Sequence, residues 1–134
     1  MKRRIFLSLM IVFCLGCKKD NSFDYSSGLI GQWSWFSSCG GTTNTACWTP
    51  DTVHPSFDID FTWNSVFNVY QNGNISESSR YNTYTIVSED KKYTTYLIKF
   101  DTGGPEQYSI TNDTLLLVNS NGILTVTSRY KRIK

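Results

Sequence analysis

The chain reads as an all-β protein: an antiparallel up-and-down meander of eight or nine short strands closed into a small barrel. Three observations predict this. Aromatic and β-branched residues are abundant, with 4 Trp, 8 Tyr and 8 Phe beside many Thr, and such residues suit a pleated, half-buried surface. Apolar and polar residues alternate with period two, most cleanly where Phe57, Ile59, Phe61 and Trp63 interleave with Asp58, Asp60 and Thr62. Short Asn- and Gly-containing turns punctuate the second half of the sequence. No segment sustains a helical stripe, and Ala46 is the only alanine.

The first seventeen residues have a different character. Lys2, Arg3 and Arg4 precede an apolar run from 5 to 15, and Gly16 then precedes Cys17. The run is too short for a spanning helix, which needs about 20 apolar residues. It reads as a secretory signal, 1–16, ending at Cys17. Cys14-Leu15-Gly16-Cys17 resembles the lipobox of bacterial lipoproteins, with Cys14 where Leu is usual. The resemblance implies that Cys17 is lipidated and that the protein is anchored in the cell envelope of a Gram-negative bacterium, with the outer membrane as the expected site. Residues 17–28 then form a lipidated, polar tether, and 29–134 form the domain. Three of the 13 basic residues lie in the signal, so after its removal ten basic residues face 11 acidic ones and the net charge is about −1. No clustered basic excess of the kind that binds nucleic acid is left. Arg129, Lys131, Arg132 and Lys134 read as a solvated last strand, with contact to anionic headgroups as the alternative.

Element by element, the first strand covers 29–37 and sends Trp33 and Trp35 to one face. A long connection follows, carrying Cys39, Cys47, Trp48 and His54. The strand 57–63 turns at Asn64 into 66–70. Gln71-Asn72-Gly73-Asn74 is a strong hairpin signal, because Asn and Gly accept positive φ. Strands at 75–79, 81–87, 93–100, 107–111, 114–119 and 123–133 complete the set, separated by 88–91, 101–105, 112–113 and 119–122. Tight connections force antiparallel neighbours. A meander of this length either closes or leaves a sticky edge, and closure is the economical answer. A two-sheet sandwich is the alternative.

Gly31-Gln32-Trp33, the stretch from Tyr108 through Asn112-Asp113 to Leu117, and Tyr130-Lys131-Arg132 together resemble small lipocalin-like lipoproteins of Gram-negative bacteria. The resemblance covers 29–133. It implies that Gly31 and Trp33 open the barrel and that an arginine of the last strand lies across the indole. Arg132 is the candidate and Arg129 the alternative.

Cys39 and Cys47 are expected to form a disulfide in the oxidising envelope. A metal site from Cys39, Cys47, Asp51 and His54 matches no zinc spacing, and no metal or other cofactor is expected. Asp58 and Asp60 share a strand face about 7 Å apart, which alternation explains as a solvated face. No Ser or Cys nucleophile has an evident base beside it, so the protein is not expected to be an enzyme. The leading expectation is a membrane-anchored binding module for a small apolar ligand at the mouth near Trp48. Its lining would come from Phe57, Ile59, Phe61 and Trp63, with Tyr96, Ile98 and Phe100. A filled barrel with a structural or protein-interaction role is the alternative, since small barrels occur in both forms.

Overall fold

The computed structural model describes residues 28–41, 46–53, 56–122 and 124–133. Cys17, the signal, the tether up to residue 27, His54 and Lys134 lie outside the described residues. Among those described, nine strands form one antiparallel sheet: β1 (Gly31–Gly41), β2 (Ala46–Trp48), β3 (Phe57–Phe61), β4 (Val66–Gln71), β5 (Asn74–Val87), β6 (Thr94–Phe100), β7 (Glu106–Thr111), β8 (Thr114–Ser120) and β9 (Thr125–Arg132). From β3 onward each strand pairs with the next in sequence, and β9 returns to pair with β1 from Trp33↔Arg132 to Gly41↔Thr125. The sheet is therefore a closed eight-stranded barrel with β2 as an added strand, which excludes the sandwich.

β1 is long because it has two partners on one side. Its first half, Gly31 to Ser34, pairs with β3, and its second half, Ser38 to Gly40, pairs with β2. A bulge between Trp35 and Ser37 turns both Trp35 and Ser38 inward. Gly40, which falls in the long connection expected after the first strand, is instead buried within β1. A Cβ there would lie 2.9 Å from Val126 Cγ2 and 3.1 Å from the Thr125 carbonyl oxygen, so glycine permits the close approach of β9.

β5 was expected as two strands and is continuous. Its first half pairs with β4 as far as Val66↔Arg80, and its second half pairs with β6 from Tyr81↔Phe100 to Val87↔Thr94. β6 in turn pairs with β7 over only two positions, Leu97↔Gln107 and Ile98↔Glu106. The stretch beyond Tyr81, with 94–96, thus forms a two-stranded ribbon that leaves the barrel wall.

The alternation places the floor turns 62–65, 88–93 and 112–113 at one end, together with residues 28–30 and 133. The Asn72-Gly73 hairpin, 101–105, 121–122 and Leu124 lie at the other, the mouth. Asn72 and Gly73 both have positive φ (52° and 78°), as do Asn112 and Asp113 (47° and 59°), the backbone twist that tight hairpins need. The floor is packed solid. Leu29, Trp33, Phe61, Ile98 and Leu115 are its largest fully buried side chains, and Phe61 stacks edge-on against Tyr81 at 5.1 Å.

Candidate functional site

Trp33 anchors the floor. Its Nε1 donates to the Leu29 carbonyl at 2.9 Å. Arg132 on β9 places its guanidinium carbon 4.1 Å from the centre of the indole. The same guanidinium donates to the carbonyls of Ile30, at 3.0 Å, and Gly28, and lies 3.6 Å from an Asp113 carboxylate oxygen. Arg129 is not over the indole: it sits beside the disulfide, 3.7 Å from Cys39 Sγ. Period two decides between them, because Arg132 and Tyr130 point inward and Arg129 and Lys131 point outward.

Above this floor the interior opens into two recesses that share Phe67 and Tyr130. The first, about 500 Å³, is walled by Trp35, Trp48, Val53, Phe57, Ile59 and Val69 with Ser38. Ser38 is committed to its neighbours: its Oγ accepts from Trp35 Nε1 at 2.8 Å and lies 2.7 Å from Ser128 Oγ. Trp35 packs edge-on against Phe57 at 6.0 Å. The second recess, about 540 Å³, is polar, with Glu77, Ser79, Thr102, Glu106, Asn119 and Ser128 around Phe100, Leu117 and Val126. Asn119 Nδ2 donates to Glu106 Oε1 at 2.9 Å. Tyr130 stands between the two. Burial, then the nearby Glu106 charge, push its hydroxyl up to about 12, against a smaller opposing hydrogen bond with Ser128.

The expected lining is divided by this arrangement. Trp48, Phe57 and Ile59 wall the apolar recess, and Phe100 lies in the polar one. Phe61 and Ile98 belong to the packed floor, and Tyr96 packs against it. Trp63 lines neither recess and is 84% exposed. The strand ends at Phe61 because Thr62 closes a tight turn: its amide donates to the Val66 carbonyl at 2.9 Å and its hydroxyl reaches Asn64 and Val66. Trp35, Val53, Phe67, Val69 and Tyr130 were not foreseen. Phe67 and Val69 alternate within β4 and carry the same inward signal as β3.

Trp48 was expected in a loop. It lies instead on β2, paired with Ser38, and so continues the inner wall. Cys39 and Cys47 are paired positions of β1 and β2 and are joined by a disulfide, which removes both from any metal site. Among the described residues no group of three or more His, Cys, Asp or Glu is placed to hold a metal ion, and no helix is long and apolar enough to cross a membrane. Asp60 lies on the outer face of β3. Partial burial raises its pKa, opposed by a hydrogen bond from Asn68. No family model, curated protein or solved structure matches the chain.

Proposed function

We propose that the barrel is a binding module for a small apolar molecule, held at the cell envelope through a lipid on Cys17, on the pattern of the lipocalin-like lipoproteins that the sequence resembles. The observation that carries the ligand is the recess of about 500 Å³ walled almost wholly by aromatic and aliphatic side chains, within the size range of small-molecule sites. Its one lining hydroxyl besides that of Tyr130, on Ser38, is already hydrogen-bonded, so the surface suits hydrocarbon and performs no evident chemistry. The adjoining polar recess gives a bound molecule room for a polar end group near Ser128 and Asn119. The proposed role is accordingly binding.

The test uses the processed chain with Cys17→Ser, titrated with long-chain fatty acids and neutral apolar dyes while tryptophan emission and Tm are followed. A ligand at 100 times its Kd stabilises by about 2.7 kcal/mol. Val69→Asp, which puts a charge into the lining, abolishes that shift. If no apolar compound moves either signal, the binding reading falls and a structural role for the barrel takes its place.

A further inference from the structure

The two most exposed large apolar side chains both lie at the floor end, opposite the mouth, although Ile75, Leu124, Trp48 and Val53 are exposed toward the mouth. Trp63 in the β3–β4 turn is 84% exposed and Tyr93 at the ribbon tip is 72% exposed. Ile86 and Val87 on the ribbon, Ile133 after β9 and Ile30 before β1 are also exposed. None of these serves the barrel core, and Trp and Tyr are the side chains that favour a boundary between apolar and wet surroundings. The chain preceding the barrel also joins it here, at Gly28. Residues 18–27 can span at most about 35 Å when extended, so a lipid on Cys17 is tethered on the floor side.

We propose that the floor end is a membrane-seating surface: Trp63 and the tip of the β5–β6 ribbon lie in the headgroup region of a lipid bilayer, with the mouth facing away from it. The seating rests on the envelope anchor proposed above for its direction, but its contacts are those of the barrel itself. Charge does not drive it, because Lys91 and Lys92 at the tip stand beside Glu89 and Asp90, and Lys92 is 3.3 Å from Asp90. The insertion is shallow. Unpaired strand edges cannot enter hydrocarbon without leaving backbone groups unsatisfied, and the ribbon has such edges on both sides beyond its pairing with itself.

The experiment takes the full chain, produced in a Gram-negative host and reconstituted into phosphatidylethanolamine–phosphatidylglycerol vesicles. Some of the lipids carry bromine high on the acyl chain, close to the headgroup. Trp33 and Trp35 are buried and Trp48 is at the far end, so Trp63 is the tryptophan within reach. Shallow bromine is expected to quench the wild-type emission and leave Trp63→Phe unquenched. Raised salt should not change the result. The double variant Ile86→Asp with Tyr93→Asp should still float with the vesicles but lose the quenching. Equal quenching of wild type and Trp63→Phe, or flotation without quenching, overturns the seating and leaves the anchor standing. Quenching that persists when mass analysis finds no lipid on Cys17 overturns the anchor and leaves the seating. Loss of exposure of Trp63 and Tyr93 through a concentration-dependent dimer in solution would assign this surface to a second copy and overturn the proposal.

Discussion

Arg132 holds one guanidinium against an indole face, two backbone carbonyls and the Asp113 carboxylate at once. A planar fork of donors suits this arrangement, and an ammonium does not. Arg132→Ala should cost about 2–3 kcal/mol, combining the cation–π contact with charged hydrogen bonds to carbonyls. Arg132→Lys should recover less than half of that, read from urea midpoints. Tyr130 gives a pH signature. Its hydroxyl titrates near 12 in the folded protein, above its ordinary value of 10.0. The stability it contributes is complete below pH 10 and is lost as pH rises through about 12. The loss is roughly 2–3 kcal/mol, and Tyr130→Phe should flatten the alkaline limb of the stability curve. The inward set on each strand was legible in the sequence wherever alternation was clean. Trp63 was misjudged because the alternation runs on past the strand end, and only the hydrogen bonds of Thr62 reveal the turn.

At the scale of elements, β2 is three residues long and pairs with β1 alone. The Cys39–Cys47 bridge joins two of those paired positions, separated by 8 in sequence. Closing a loop of that size is worth about 2.5 kcal/mol in the chain-entropy account. Reduction, or Cys39→Ser with Cys47→Ser, should therefore free β2 and Trp48 while the barrel persists. The expected readout is a red shift of the Trp48 emission and proteolytic cleavage confined to 42–53, with little change in far-UV circular dichroism. The cysteines were legible as a pair. The strand that carries Cys47 was not, since three residues show no period. The continuity of β5 was hidden for a related reason. The strand changes partner after Arg80, and a run of Ser and Asn residues with Arg80 in it resembles a break when the second partner is unknown.

For the whole molecule, the closed meander followed from strand count and turn spacing. Whether its interior is filled did not, because inward alternation is the same for a packed core and for a cavity wall. The difference arises from how the strands stagger around the barrel, which sets Phe61, Tyr81 and Ile98 within one packed cluster and leaves Phe57 and Val69 facing open space. Stability should accordingly be divided unevenly. Trp33→Ala should cost about 3–5 kcal/mol, whereas Trp48→Ala, at a half-open rim, should cost less than about 1.5 kcal/mol. Thermal unfolding of the two variants measures the contrast, and equal losses would contradict a floor that carries the core.

The pairing of β9 with β1 also governs how the barrel is made. The other seams join positions much nearer in sequence, the farthest being Gly31↔Phe61 between β1 and β3, whereas Arg132 reaches back 102 positions to Ile30. Loop closure over that distance must be achieved before its contacts give any return, so the closing step should set the folding rate and place it in the slow, milliseconds-to-seconds regime of non-local β proteins. Until then β1 and β9 are both open edges, the interval in which edge-to-edge association between chains is easiest. Changes at Gly40 or Arg132, at the two ends of that seam, should thus lengthen that interval, with refolding yield falling as protein concentration rises, while changes in the Asn72-Gly73 hairpin leave it untouched.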